Sequence, residues 1–160
     1  MPFFLRTLFT ACRMSDPNTL RQTLRSQRRA LSASERHHAA VSTAQRAAML
    51  SYFQHAQHLA LYLAFDGELD PAPLVRKAWD MGKQVYLPVL RHKQALRFVH
   101  YHAQTPMQPN RFGIPEPVLD EQVPMLEPQQ LDLVFTPLVG FDLQGTRMGM
   151  GGGFYDRSFA

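Results

Sequence analysis

The fold is decided by residues 59–90, which read LALYLAFDGELDPAPLVRKAWDMGKQVYLPVL. Leu59–Phe65 is a continuous apolar run of strand length, as expected for a strand that is buried on both faces. Asp70-Pro71 predicts the start of a helix, with the aspartate as N-cap and the proline at the first helical position, and Gly82 predicts its end. Val85–Leu90 predicts the next strand. Alternation of strand, helix and strand favours an α/β domain with a largely parallel sheet.

The flanking sequence adds two helices before this unit and two strands after it. Asn18–Leu31 carries its leucines on one helical stripe. Ser32 followed by Glu35 has the spacing of a capping box at the start of a second helix. Leu96–Tyr101 and Leu131–Thr136 predict further strands. The pattern as a whole predicts a single three-layer α/β domain.

Two segments depart from regular patterns. Pro88 lacks a backbone N–H, so it indicates that its strand lies at an edge of the sheet or contains a bulge. Residues 104–130 are rich in proline and polar residues and predict a long irregular connection, of the kind that often carries function.

Composition limits the class of protein. With 160 residues, 45% of them hydrophobic and 19% charged, the chain has the size and polarity of one compact domain. Its apolar runs all fall short of the ~20 residues that a membrane-spanning helix needs, so no membrane partner is expected. The single cysteine, Cys12, excludes an intrachain disulfide. The net charge of +4 gives only a mild attraction for anionic ligands.

The first residues are set apart from the domain. Residues 1–13 contain no acid, two arginines and several large apolar side chains, but Arg6 interrupts the apolar stretch that a secretory signal requires. Met14 looks like a start position. We therefore expect residues 1–13 to be an upstream extension and residues 14–160 to form the domain.

Basic residues cluster near the start of that domain. They are Arg21, Arg25, Arg28, Arg29 and Arg36, with Glu35 as the only acid among them. One hypothesis is a solvated helix face, and the other is a helix that faces phosphate groups. Nucleic acid is not expected as a partner, because no basic-aromatic interleaving or recognition motif accompanies the cluster.

The strongest chemical signal lies near the end of the chain. A predicted strand leads into a loop with four glycines in five positions, Gly149 and Gly151–Gly153, preceded by Arg147 and followed by Asp156. Glycines allow successive backbone N–H groups to point into one concavity that suits phosphate oxygens. Arg147 adds a cationic fork for those oxygens, and Asp156 supplies the oxygen ligand that Mg²⁺ prefers. The alternative hypothesis is a tight glycine turn without a ligand.

Five segments together resemble the 5-formyltetrahydrofolate cyclo-ligase family, also called methenyltetrahydrofolate synthetases. The segments are LRQTLRSQRRALS at 20–32, FDGELD at 65–70, GKQVYLPVL at 82–90, FGIPEP at 112–117 and FDLQGTRMGMGGGFYDR at 141–157. The resemblance spans about Leu20 to Arg157. It implies a cytoplasmic enzyme, expected to be a monomer, that acts on small molecules.

The resemblance also implies the reaction. ATP and Mg²⁺ would drive closure of 5-formyltetrahydrofolate to 5,10-methenyltetrahydrofolate, with release of ADP and phosphate. The formamide oxygen leaves poorly until the γ-phosphoryl group of ATP is transferred to it. The protein's task is then positioning and charge stabilisation rather than covalent catalysis.

Carried over position by position, the resemblance assigns the site residues. The ATP-binding residues would be Arg21, Arg147, Met148, Gly149, Met150, Gly151, Gly152, Gly153, Phe154 and Tyr155. The folate-binding residues would be Leu63, Glu68, Phe112 and, again, Met150 through Phe154. Arg147 and Asp156 would be catalytic, and Asp156 would be the Mg²⁺ ligand.

The sequence departs from the family in two places. Pro17 stands where the family usually has a basic residue. The family also continues for some tens of residues beyond the YDR motif, with a further strand and a second acidic metal ligand, whereas this chain ends at Ala160. We therefore expect a domain that is incomplete at its C-terminus. The alternatives left open are an inactive folate- or nucleotide-binding remnant of the family and another phosphoryl- or CoA-handling enzyme on a similar sheet.

Overall fold

The computed structural model describes residues 16–89, 95–119 and 123–160, so the predicted extension at residues 1–13 lies outside the described residues. The helices are α1 (Pro17–Ala30), α2 (Ala33–Ala48), α3 (Ser51–His55), α4 (Ala72–Asp80) and α5 (Phe154–Ser158). The strands are β1 (His58–Ala60), β2 (Gln84–Val89), β3 (Arg97–Tyr101), β4 (Met107–Pro109), β5 (Pro115–Pro117), β6 (Met125–Leu126), β7 (Leu133–Val134), β8 (Gly140–Phe141) and β9 (Arg147–Met148).

The main sheet has five strands in the order β6-β3-β2-β1-β7. β1 pairs in parallel with both β2 and β7, while β3 is antiparallel to β2 and to β6. Four of the five strands in the described residues therefore run in one direction, with β3 running opposite. The predicted α/β fold with a largely parallel sheet is confirmed. Two small hairpins, β4–β5 and β8–β9, lie outside the main sheet.

The helix signals in the sequence correspond closely to the observed helix ends. Ser32 and Glu35 form the predicted capping box of α2, with Ser32 Oγ accepting from the Glu35 N–H at 3.2 Å. Asp70 Oδ1 accepts from the Ala72 N–H at 2.9 Å, although α4 begins one residue later than predicted, at Ala72. Gly82 ends the turn after α4 at φ 71°, a conformation that favours glycine.

The strand predictions are less accurate. The run Leu59–Phe65 contributes only Leu59 and Ala60 to β1, since the strand ladder with β2 ends at the pair Ala60–Tyr86. The later run is similarly reduced to β7 at Leu133–Val134. Both strands end where the chain turns out of the sheet toward the segments that carry the predicted site residues.

The prediction for Pro88 is wrong. β2 lies between β1 and β3, and its register with β3 runs without interruption from the pair Val85–Tyr101 to the pair Val89–Arg97, so it is neither an edge strand nor bulged. The proline is tolerated because β1 pairs only with residues 84–86. At Pro88 itself, β2 therefore has β3 as its one ladder partner.

The two faces of the sheet are covered by different elements. Leu59, Leu61 and Val85 join a core cluster with residues of α2, α3 and α4, including Phe53 and Ala78. Ala60 and Tyr86 point to the opposite face, as expected for alternating strand residues. There they form a second cluster with Phe98, against which Phe154 and Tyr155 pack. The fold therefore has helices on both sides of the sheet.

Trp79 extends the first of these clusters. It packs against the buried residues of that face, and its indole N–H donates to the Tyr101 carbonyl at 3.1 Å. The two aromatic rings lie 5.3 Å apart between centroids. Trp79 thus connects α4 to the outer half of the sheet.

Asp132 ties the start of β1 to β7. Its Oδ2 accepts from the backbone N–H groups of Gln57 and His58, each at 2.8 Å. These hydrogen bonds, first that from His58 and then that from Gln57, hold the pKa of Asp132 below its ordinary value. A lowered pKa in the folded state stabilises the fold above the unfolded pKa of about 4 and loses that contribution as the pH falls through the folded pKa.

We therefore predict that Asp132→Asn slightly lowers stability at neutral pH and flattens the loss of stability in acid. Urea unfolding of both proteins between neutral pH and about pH 3 measures this, with Asp80→Asn on the exposed surface of α4 as the control. Parallel pH profiles for the parent and Asp132→Asn would contradict the prediction.

Candidate active site

The glycine-rich segment follows the β8–β9 hairpin. Asp142 closes the hairpin, because its Oδ1 accepts from the N–H groups of Gln144 at 3.0 Å and Thr146 at 2.7 Å. β9 ends at Met148, and residues 149–153 form the loop that leads into α5. Since α5 packs on the second face of the sheet through Phe154 and Tyr155, the loop is anchored at both ends.

The loop leaves open space beside its backbone. A Cβ added at Gly149 or Gly151 would meet no described atom within 4 Å. Gly151 has φ 95°, a backbone conformation that L side chains rarely adopt. A concave, accessible backbone of this kind suits the approach of phosphate oxygens, as the sequence predicts.

Arg147 and Asp156 lie together beside this loop. Arg147 Nη2 is ion-paired with Asp156 Oδ1, and the guanidinium carbon lies 5.5 Å from the centroid of the Tyr155 ring. The Asp156 side chain is 75% exposed, while that of Arg147 is 24% exposed. The predicted phosphate-binding cation and the predicted metal ligand are therefore direct neighbours, and in the absence of a nucleotide they neutralise each other.

Arg21 reaches the same loop from the other end of the chain. Its Nε donates to the Gly149 carbonyl at 3.0 Å, across a separation of 128 residues, and its Nη1 donates to Asn18 Oδ1 at 3.0 Å. The prediction groups Arg21 with the glycine loop on the resemblance alone. The fold brings them into contact.

Two of the predicted folate-binding residues, Leu63 and Glu68, lie on the segment that follows β1. Leu63 and Glu68 line a cleft of about 520 Å³, together with Arg36, His37 and Pro115. Glu68 Oε2 accepts from the Phe65 N–H at 3.1 Å, and burial raises the pKa of the Glu68 carboxyl. A partly buried carboxylate at the wall of an open cleft is available as a hydrogen-bond acceptor for a ligand.

Phe112 is separate from this cleft. It lies 49% exposed in the turn between β4 and β5, beneath the guanidinium group of Arg111 at 4.7 Å. Its neighbour in the same segment, Pro115, lines the cleft instead. Phe112 thus stays a prediction, with no contact to the other candidate residues.

The negative charge of Glu68 in the cleft affects the pKa of two tyrosines, Tyr62 near the cleft and Tyr155 of α5. Burial raises the pKa of Tyr62 to about 12, with smaller contributions from the negative charges of Glu68 and Asp70. The pKa of Tyr155 is raised by burial and then by Glu68 and Tyr62. The charge of Glu68 in the cleft therefore acts on the Tyr155 hydroxyl of α5. Helix α1 contacts both halves of the site, through Arg28 at Glu68 and Arg21 at Gly149.

One cluster was missed by both sequence hypotheses for the basic helix. Arg25, Arg28 and Arg29 of α1 all bind the carboxylate of Asp66, although the Arg29 side chain stays 53% exposed. The spacing of the arginines on one helix could have indicated a shared acidic partner. Which acid they bind depends on the tertiary fold.

Within the described residues, no group of three or more His, Cys, Asp or Glu side chains could hold a metal ion. Mg²⁺ makes weaker demands, since it usually keeps several waters and binds one or two carboxylates together with substrate phosphates. The exposed carboxylate of Asp156 at the glycine loop fits an ion that arrives with a nucleotide.

Fold and site together define an α/β domain in which helix α1 joins a glycine-rich, cation-flanked loop to a cleft lined by three acidic residues. A family model described as the 5-formyltetrahydrofolate cyclo-ligase family matches residues 13–160. The chain belongs to this family.

Individual relatives agree with that assignment. The 5-formyltetrahydrofolate cyclo-ligase of Haemophilus influenzae is 45% identical over 141 residues, which cover 87% of this chain and 75% of the relative. The protein of the same name from Escherichia coli is 44% identical over 137 residues, covering 84% and 75% of the two chains.

Solved structures show the same fold. The 5,10-methenyltetrahydrofolate synthetase of Aquifex aeolicus superposes with a TM-score of 0.76 at 30% identity, covering 88% of this chain and 70% of that one. The synthetase of Mycoplasma pneumoniae gives a TM-score of 0.69 at 25% identity, covering 90% and 77%. In the described part of this chain, no helix has the length and apolar character needed to cross a membrane.

Proposed function

We propose that this chain catalyses the ATP-dependent cyclisation of 5-formyltetrahydrofolate to 5,10-methenyltetrahydrofolate, with release of ADP and phosphate. The observation that carries the proposal is the convergence of α1, the glycine loop and the cleft, through the contacts of Arg21 with Gly149 and of Arg28 with Glu68. The chain would act on these small molecules in the cytoplasm, as a monomer.

The nucleotide would bind at the glycine loop. Arg21 contacts Gly149 and Arg147 lies two residues before it, and the backbone has open space at Gly149 and Gly151, so cationic groups flank an accessible stretch of the loop. The remaining loop residues in this role are Met148, Met150, Phe154 and Tyr155. When the phosphates arrive, Arg147 would exchange its Asp156 partner for phosphate oxygens, which form strong charge-assisted hydrogen bonds with guanidinium groups.

The reduced folate would bind in the cleft next to that loop. Glu68 offers a carboxylate to the neighbouring N–H donors of the pterin ring, and Leu63 offers apolar contact on the same wall. The loop residues Met150 through Phe154 would then face both ligands, which places the formyl oxygen near the γ-phosphoryl group. Phe112 would need to approach the cleft for its proposed role.

The residues of this chain then supply position and charge. The formyl oxygen attacks the γ-phosphorus and ADP leaves. N10 then attacks the formyl carbon and loses its proton to water, the carbon–oxygen bond breaks, and phosphate departs with that oxygen. Arg147 would stabilise the charge that develops on the transferring phosphoryl oxygens. Asp156 would hold Mg²⁺, which when bound neutralises charge on the phosphates.

The direct test combines the purified chain with ATP, Mg²⁺ and 5-formyltetrahydrofolate and follows the absorbance of the methenyl product. Product should form only when all three are present, with one ADP released per ring closed. A chain that binds both ligands in thermal-shift assays but forms no product would support the inactive remnant instead. The 45% identity to a cyclo-ligase over 87% of the chain favours the enzyme. A related phosphoryl- or CoA-handling activity would appear as ATP turnover independent of folate.

The backbone of Gly151 provides a sharper test of the nucleotide site. Gly151→Ala forces a side chain onto a residue at φ 95° and should cost roughly 1–2 kcal/mol in that conformation, so we expect about a tenfold loss of kcat/KM for ATP. The matched control is Gly82→Ala, because Gly82 also has a positive φ of 71° with open space beside it. Equal effects of both variants on ATP use would show that the loop has no special role.

A further inference from the structure

Helix α1 has no fully buried apolar stripe. The structure describes every residue of α1, and none of them is buried. Leu24 makes a close approach to Gly140, where an added Cβ would lie 2.8 Å from Leu24 Cδ1. Surface helices are ordinarily fixed by burying an apolar stripe. The position of α1 therefore depends mainly on polar contacts.

Most of those contacts converge on Asp66. Arg25 Nε donates to Asp66 Oδ2 at 2.9 Å, Arg28 Nη2 donates to the same oxygen at 3.0 Å, and Arg29 binds Oδ1. We call these four residues the Asp66 clamp. The Asp66 side chain is only 9% exposed, so its carboxylate is largely shielded from bulk water, while the Arg29 arm is 53% exposed. Charge-assisted hydrogen bonds in such surroundings are strong.

The backbone at Asp66 is part of the same arrangement. Asp66 has φ 55°, an uncommon conformation for a residue other than glycine, and its carbonyl accepts from Arg28 Nε at 2.9 Å. Strained residues of this kind persist when their surroundings hold them in place. Arg28 also lies 3.8 Å from Glu68 and donates to the Leu138 carbonyl at 3.3 Å. The clamp thus fixes α1 against the segment that carries Glu68.

The other end of α1 reaches the nucleotide side. Arg21 lies eight residues before Arg29 on the same helix, or about 12 Å along its axis, and its Nε donates to Gly149 in the glycine loop. A regular helix transmits a displacement at one end to the other. Where Arg21 lies therefore depends on whether the Asp66 clamp is closed.

We propose that Asp66 is a positioning residue, which holds α1 so that Arg21 meets the glycine loop and thereby couples the folate side of the site to the nucleotide side. This rests on the proposed function for the identity of the two ligands. Within the described residues, the hydrogen bonds and ion pairs of the Asp66 side chain all go to α1, and Asp66 also lines the cleft beside Glu68. Its removal should nevertheless weaken the use of ATP, which binds at the far end of the helix.

The first test needs no enzymatic activity. Trypsin cleaves after arginine, and α1 carries four of them, at positions 21, 25, 28 and 29. Asp66→Asn should accelerate native-state cleavage within α1 about tenfold or more, because cleavage tracks the population of the opened form. Asp132→Asn is the matched control, since it also replaces a hydrogen-bonded carboxylate by an amide. Asp132 binds backbone N–H groups at the start of β1 instead of α1. Unchanged cleavage of α1 in Asp66→Asn would overturn the proposal.

The second test is kinetic. Asp66→Asn should raise the KM for ATP about tenfold, within the usual range of coupling between sites. In a chain that already carries Arg21→Ala, the same change should add little, because both substitutions remove one interaction. Additive effects on the KM for ATP, or an effect confined to the KM for the folate, would show that Asp66 serves only its own segment.

Weaker variants cover the case in which Asp66→Asn does not fold. Arg25→Gln and Arg29→Gln each remove one arm of the clamp, with side chains that are 30% and 53% exposed. Each should produce a smaller increase in both cleavage and KM, with the two increases in proportion. If the parent chain forms no methenyl product, the proposed function fails, whereas the proteolysis comparison still decides the clamp.

Discussion

Arg147→Ala is expected to cause the largest loss of ATP use of any single side-chain truncation in the chain. The guanidinium group lies beside the glycine loop with 24% of its side chain exposed, and Asp156 is its only acidic partner within the described residues. Its loss removes a charge-assisted interaction of roughly 1.5–3 kcal/mol with the phosphates. We therefore expect kcat/KM for ATP to fall about tenfold to a hundredfold, with little change in folate binding by isothermal titration.

A second arginine nearby provides the matched control. Arg157 lies one turn into α5, with its guanidinium carbon 5.2 Å from the centroid of the Phe154 ring. Arg157→Ala also removes one guanidinium group close in sequence to the glycine loop, but it leaves the Arg147–Asp156 pair intact. If Arg157→Ala lowers ATP use more than Arg147→Ala does, the phosphate-binding role belongs to α5 and the present assignment is wrong.

Glu68→Gln should have a comparable effect on the folate side. The substitution keeps an acceptor for the Phe65 N–H and nearly the same volume, but it removes the negative charge from the cleft wall. A hydrogen bond to a charged group is worth roughly 1.5–3 kcal/mol. The KM for 5-formyltetrahydrofolate should therefore rise about tenfold or more, while the KM for ATP changes little.

The pH dependence of folate binding at acid pH tests the role of Glu68 independently. Burial raises the pKa of its carboxyl, so the charged form is lost at a higher pH than for an exposed glutamate. Folate binding by the parent chain should weaken as the pH falls through that raised pKa, and Glu68→Gln should lack this dependence. Glu127→Gln, which removes an exposed partner of Arg97, serves as the control. A pH profile shared by all three proteins would remove Glu68 from the folate site.

Local signals in the sequence predicted the elements well where the determinants are neighbours along the chain. The capping box at Ser32 and the helix end at Gly82 each depend on a few adjacent residues. The α/β class follows in the same way from alternating strand and helix patterns. Strand lengths failed because pairing depends on a partner elsewhere in the sequence, as the early end of β1 shows.

The candidate site shows the same limit. The glycine loop and its flanking charges could be read from the sequence, but the pairing of Arg147 with Asp156 could not, since either group could have faced solvent. The Asp66 clamp joins residues up to 41 positions apart in the chain. Side-chain pairs at such separations are set by how the helices pack on the sheet, which no local pattern encodes.

The fluorescence of Trp79 can be used to follow the folding of this chain. It is the only tryptophan among 160 residues, and it packs on the face of the sheet opposite to Phe154 and Tyr155. Its fluorescence therefore follows the integrity of the α4 side of the core and is insulated from events at the glycine loop. Unfolding of the domain can be separated from detachment of α1 in a single cuvette, because only the former should change the emission of this indole.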